Sequence, residues 1–176
     1  MKFIHTPIHG AYVITLEEKR DNRGFFARVF DLNEFSTNNL ETQFVQANLS
    51  ATNKKGTIRG LHYQFFPHEE AKLIRCIAGR IYDVIVDMRE DSPSYHQWFG
   101  IELTSENNKM MYIPKKCANG YQALEGNSKA LYWVTEFYAP DFEKGVRYND
   151  PTIGIVWPIT KNIVVSKKDK KIPGIR

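Results

Sequence analysis

The chain is made of short apolar runs that are cut off before a helix could use them. "KLIRCIAGRIYDVIVDMRE" holds two such runs, Lys72 to Ile77 and Ile81 to Met88, split by the turn Ala78-Gly79-Arg80. "QWFGIELTS" follows, then the break "ENN", then "KMMYIPK", then the turn "EGN" and the run "SKALYWVTEFY". β-Branched and aromatic side chains fill the runs, and they fit a pleated, half-buried surface. Gly, Asn, Pro and Ser fill the breaks, where turns need them. The pattern predicts an all-β sandwich or barrel with a few short helices. The one local helix signal is "DLNEFSTNN", with Asp31 as its cap. The later stretch "VRYNDPTIGIVWPIT" is rich in turn formers and aromatics and is expected to wrap the sheet as irregular structure. No repeat, linker or compositional break divides the chain, so residues 1–176 are read as a single domain.

Composition narrows the class. Hydrophobic residues at 42% and charged residues at 25% describe a globular chain rather than a disordered one. No apolar run approaches the ~20 residues of a membrane helix, so no membrane partner is expected. The start, "MKFIHTPIHG", has no apolar core of a signal peptide. Cys76 and Cys117 sit in apolar stretches without metal-type spacing, which reads as buried free thiols in a reducing, cytoplasmic setting. A net charge of +4 permits an anionic small molecule or a nucleic acid and decides neither. The basic run "SKKDKKIPGIR" is expected to be largely a solvated tail.

"IRGLHYQ", residues 58–64, raises a question of chemistry. Arg59 and His62 do not belong in a dry strand without partners. A lone strand histidine is more often structural than a ligand or a base. Here Arg59, Lys72 and Arg75 crowd consecutive strands, with few acids near them besides Glu69 and Glu70, so an anionic ligand is the expected partner. Strict alternation puts Arg59 and His62 on opposite faces. Gly60 between them offers an escape, because glycine often marks a bulge that re-aims a side chain.

A metal is a poor fit to this pattern. Metal-binding barrels of the cupin type use two histidines one residue apart, a glutamate soon after, and a later histidine. In this chain His62 holds the first position, Gln64 the second and Asn119 the last. Amide oxygens are weak ligands for transition metals. The expectation is a pocket with no metal and no other cofactor.

Taken together, an ordered set of segments resembles the dTDP-4-dehydrorhamnose 3,5-epimerase family. They are "DNRGFFARVF", "FVQANLS", "GTIRGLHYQ", "EAKLIRCIAGRIYDVIVDMREDSPSY", "IPKKCANGYQAL", "LYWVTEFYAP", "EKGVRYNDPTIGIVWP" and "VSKKD". The resemblance implies a metal-independent cupin, a double-stranded β-helix or jelly roll. It implies an isomerase that inverts carbons 3 and 5 of a nucleotide-linked 4-keto-6-deoxyhexose. On the matching positions it makes His62 the base, Asp169 the carboxylate that orients it, Lys72 the cation near the keto oxygen and Tyr132 the proton donor. Arg59, Gln46, Asn48, Asn119, Tyr138, Glu143 and Lys168 match substrate-binding positions. Arg23 and Phe26 match positions that reach across from a second subunit, which implies a homodimer. Without the resemblance Lys72 reads as a surface lysine, Tyr132 as core, Phe26 as ordinary packing and Asp169 as an exposed charge.

Two positions depart from the family's pattern. Asn119 stands in "CANGY" where a histidine is usual, and asparagine cannot carry a proton charge. Arg28 stands after "RGFF" where a glutamate is usual, near the nucleotide. The first raises a single-carbon epimerase as the alternative. The second opens the base, leaving dTDP, CDP or GDP sugars. A sugar-nucleotide binding protein without turnover is a further alternative. Nucleic acid is not an expected partner, because the aromatics lie in apolar strands rather than along a basic groove.

Overall fold

The structure is a computed structural model that describes residues 1–175. Two six-stranded sheets face each other as a jelly roll. The first runs β1 (Lys2–His5), β2 (Tyr12–Thr15), β10 (Lys109–Ile113), β7 (Lys72–Ala78), β12 (Ser128–Val134) and β5 (Gln46–Thr52). The second runs β13 (Glu143–Gly145), β6 (Thr57–Gln64), β11 (Cys117–Ala123), β8 (Arg80–Asp87) and β9 (Trp98–Thr104). Strand β14 (Val164–Val165) adds to β6 in parallel. A separate hairpin pairs β3 (Lys19–Asp21) with β4 (Gly24–Phe26). The expected strands from Lys72 onward are all present, and the helix signal resolves as α1 (Leu32–Thr37). Its cap is Asp31, whose carboxylate accepts from the backbone N–H groups of Asn33 and Glu34.

Alternation decides which residues fill the barrel. Ile74, Met111 and Ile113 point inward from the first sheet and meet Ile81, Ile85 and Leu103 from the second. The outer face of the first sheet, with Ile14, Leu73 and Met110, is covered by Phe35 of α1. The outer face of the second, with Ile58, Leu61, Val84 and Val86, is covered by the late segment through Val146, Ile153 and Trp157. That segment wraps the sheet as expected. Burying a side chain of this size is worth about 1.5–3 kcal/mol, so these covers hold the sheets at a fixed separation. Both cysteines are free and buried. Among the described residues no helix is long and apolar enough to cross a membrane.

One expectation is corrected. The basic run is not simply a solvated tail. Residues Lys167–Lys170 form a short helix, α2, capped by Ser166, whose hydroxyl accepts from the Asp169 N–H at 3.0 Å. Its lysines are exposed, with Lys168 reaching Glu143, while Asp169 is only 5% exposed. A buried carboxylate requires partners, and those partners lie on β6.

Candidate active site

Strand β6 answers the question posed by its arginine and histidine. In its pairing with β11, His62 faces Asn119 while Arg59 faces Tyr121, so the register slips by one residue between them. Gly60 takes up the slip at φ +109°, a region that favours glycine. The strands also approach too closely for a side chain there. A Cβ on Gly60 would sit 2.7 Å from the Asn119 carbonyl oxygen, and one on Gly120 would sit 2.5 Å from that of Arg59. Ile58 and Leu61 therefore pack outward, while Arg59 and His62 both turn into the barrel.

They open onto a cavity of about 510 Å³ between the sheets. His62, Arg59, Asn119, Lys72, Tyr132, Lys168 and Asp169 all line it. His62 Nε2 lies 2.9 Å from Asp169 Oδ1, and the other Asp169 oxygen accepts from the Gly60 N–H at 3.4 Å. His62 Nδ1 lies 3.5 Å from Glu143 Oε1. Glu143 is in turn bonded to Lys168. The imidazole thus stands between two carboxylates, one brought by α2 and one by β13.

Lys72 is buried, with its ammonium donating to the His62 carbonyl oxygen at 3.2 Å and paired with Glu70 at 3.0 Å. An ammonium has three N–H donors, so one remains for the cavity. Tyr132, on β12 beside β7 in the first sheet, faces the cavity across from His62 on β6 of the second. Burial, reinforced by the nearby Glu70 carboxylate, raises its phenol above the ordinary value, so the hydroxyl keeps its proton. Arg59 donates to Thr52 Oγ1 and to the Ala51 carbonyl oxygen, each at 2.9 Å, and the rest of its fork is uncommitted.

The other candidates lie outside the cavity lining. Asn48 is the cross-strand partner of Tyr132, and Gln46 accepts from the Tyr138 N–H at 2.8 Å. Tyr138 is exposed. Arg23 and Phe26 are not brought to this cavity; they project on the exposed β3–β4 hairpin, with Arg23 ion-paired to Asp21. Arg28 pairs with Asp31 at 3.1 Å. Asp83 was missed in the sequence. It is fully buried, holds Asn119 by a hydrogen bond, and its carboxyl is pushed up to about 8, chiefly by burial. An acidic residue inside an otherwise apolar strand, "YDVIV", was the available signal. Among the described residues no three His, Cys, Asp or Glu side chains are grouped to hold a metal ion.

A jelly roll whose interior carries an imidazole–carboxylate pair, a buried ammonium and a phenol defines a cupin-type protein with ionisable groups gathered in its pocket. The sequence profile of dTDP-4-dehydrorhamnose 3,5-epimerase matches residues 5–176. The enzyme of that name from Methanothermobacter thermautotrophicus is 38% identical over 99% of this chain and 95% of its own. The Bacillus anthracis enzyme of the same name, solved with TDP and PPi bound, superposes with a TM-score of 0.94 at 38% identity, covering 99% of both chains. A 3'-monoepimerase from Streptomyces bikiniensis, solved with dTDP-quinovose, superposes with a TM-score of 0.89 at 28% identity over 96% of this chain and 85% of that one. The chain belongs to the dTDP-4-dehydrorhamnose 3,5-epimerase family, and it is an isomerase.

Proposed function

We propose that the protein epimerises a nucleotide-linked 4-keto-6-deoxyhexose of the dTDP-4-dehydro-6-deoxyglucose type at carbons 3 and 5, with His62 as base and Tyr132 as acid. The observation that carries this reading is His62 on one sheet, paired with Asp169 of α2, with Tyr132 on the sheet opposite. With the Nε2–H donated to Asp169, the Nδ1 lone pair takes a proton from the carbon beside the ketone. The C–H electron pair moves onto the keto oxygen as an enolate. The uncommitted Lys72 N–H donates to that oxygen, and in a site shielded from bulk water such a donor lowers the barrier strongly. Tyr132 then returns a proton to the other face, which inverts the carbon. Asp169 and Glu143 flank and stabilise the imidazolium formed on the way. Exchange of His62 and Tyr132 with solvent resets both groups.

Arg59 suits the diphosphate, because a guanidinium fork matches phosphate oxygens. Gln46, Asn48, Tyr138, Glu143, Lys168 and Asn119 complete the nucleotide-sugar site, with Tyr138 exposed for stacking on a base. The TDP in the Bacillus anthracis structure supports a thymidine nucleotide. We place Arg23 and Phe26 against the site of a second subunit. Phe26 is 63% exposed on its hairpin, an unfavourable position for a phenyl ring in a lone chain.

A second reading is favoured by one observation: Asn119 beside His62 cannot titrate, so a single carbon is inverted. Heavy water separates the two. The protein is incubated in it with dTDP-4-keto-6-deoxyglucose while the carbon 3 and carbon 5 protons are followed by NMR. Exchange at both supports the double epimerase, and exchange at one supports the single-carbon enzyme. No exchange, with the CDP- and GDP-linked analogues also inert, overturns both in favour of a binding role.

A further inference from the structure

Asn119 is the direct cross-strand partner of His62, and both line the cavity. A side-chain amide offers two N–H hydrogens and one carbonyl oxygen. Both hydrogens of Asn119 are spent. Its Nδ2 donates to Asp83 Oδ1 at 2.9 Å and to the Val84 carbonyl oxygen at 3.0 Å. A backbone carbonyl can only accept, so turning the amide over would set oxygen against oxygen at Val84. The side-chain oxygen of Asn119 is therefore the atom left for a ligand.

Asp83 reinforces this arrangement from beneath. It is fully buried, and its Oδ2 has no hydrogen-bond partner among the described residues. Burial pushes the carboxyl up to about 8, against the opposing pull of the Asn119 amide and the Lys72 charge. Burial thus favours its uncharged form, and its Oδ1 serves as an acceptor for the amide.

We propose that Asn119 presents its carbonyl oxygen as an acceptor for a sugar hydroxyl, that Asp83 is the positioning residue that holds it so, and that this contact sets carbon 3 rather than carbon 5 against His62. The inference rests on the epimerase reading above, in its double or its single-carbon form: any reaction at carbon 5 takes place in a pose that has released Asn119. A ketone oxygen is repelled at Asn119 and is drawn instead to Lys72. Of the two carbons flanking that ketone, carbon 3 bears a hydroxyl and has another at its neighbour, carbon 2. Carbon 5 bears a methyl group and the ring oxygen, and neither donates. Directly opposed side chains on one sheet face have Cβ atoms about 5 Å apart, so a hydroxyl held by Asn119 lies on or beside the carbon that faces His62. With Asn119 engaged, that carbon is carbon 3.

The test compares solvent exchange at carbons 3 and 5 of dTDP-4-keto-6-deoxyglucose in heavy water for the wild-type protein and its variants, each first checked for cooperative unfolding. Asn119→Ala is expected to lower exchange at carbon 3 about tenfold relative to any exchange at carbon 5, the effect of one lost hydrogen bond to substrate. Asn119→Asp, which cannot donate to Val84, is expected to act in the same direction. Asp83→Ala is expected to lower the carbon 3 to carbon 5 ratio, and Asp83→Asn, which keeps an acceptor oxygen, to restore it. That ratio does not move for a residue that merely supports the fold. Equal losses at both carbons in Asn119→Ala, an unchanged ratio, or wild-type exchange at carbon 5 alone would each overturn this inference and leave an epimerase standing. No wild-type exchange at either carbon would overturn the epimerase reading and the inference with it.

Discussion

The proposed base and the proposed acid, His62 and Tyr132, can be told apart by a single atom. Tyr132→Phe removes the hydroxyl and leaves His62, Asp169 and Lys72 untouched. The variant is expected to keep washing deuterium into the substrate while inversion falls by a factor of about 10² or more. NMR of the recovered sugar reads both at once, and loss of exchange together with inversion would assign Tyr132 a different role. Asp83 gives a prediction about stability. Burial raises its folded pKa from 3.8 to about 8, so the folded chain holds a proton that the unfolded chain has released. Stability contributed at this position is therefore lost as pH rises from about 4 to about 8, and is flat beyond. Asp83→Asn cannot ionise. Its melting temperature relative to the parent is expected to improve by roughly 5–10 °C between pH 5 and pH 8.5 in thermal denaturation. Asp87 is the counter-case. It too is fully buried, yet bonds from Arg89, Ser92 and Ser94 outweigh burial and hold its carboxyl well below the ordinary range.

At the scale of elements, the contact between β6 and β11 aims the site. Gly120→Ala would drive a methyl group to 2.5 Å from the Arg59 carbonyl oxygen, and backbone cannot move aside cheaply. The expected cost is about 2–4 kcal/mol in denaturant unfolding, with activity falling further than stability because Arg59 and His62 lose their common direction. This pairing also shows what can be read from sequence. Strands β7 to β12 are legible because alternation and turn residues are local signals. The bulge at Gly60 is legible only as a possibility, since glycine serves several purposes. Helix α2 is not legible. Its lysines carry the pattern of a solvated run, and its one buried residue, Asp169, is compensated by a histidine 107 residues earlier. Family resemblance finds that pair because it matches positions rather than contacts. Asp83 escapes both, since its partner here is an amide and not an ionisable group.

At the scale of the whole molecule, part of the first sheet's outer face is exposed. Where α1 shields Leu73 and Met110, nothing among the described residues shields the far end of the first sheet. Leu49 on β5 is 62% exposed there, near the exposed Ala47 and Ala51. Arg75, on the same outer side of β7, has a buried Nε without a hydrogen-bond partner. An apolar patch beside an unpartnered Arg75 Nε–H is suited to a second copy of the chain, in keeping with the exposed β3–β4 hairpin. Sedimentation equilibrium is expected to give twice the 20.4 kDa chain mass. Leu49→Asp is expected to shift the population towards monomer and to lower turnover as the partner's hairpin withdraws; a wild-type monomer at micromolar concentration would count against the arrangement.

The joining of α2 to β6 also bears on how the molecule comes into being. His62 emerges from the ribosome long before Asp169 has been synthesised, and the intervening residues build most of both sheets. The His62–Asp169 pair can close only after that barrel exists to receive it, since contacts so distant in sequence form late. On the proposed mechanism, a nascent or misassembled chain therefore has a base with no carboxylate to orient it. Competence for proton transfer becomes a report that the entire barrel has been put together correctly.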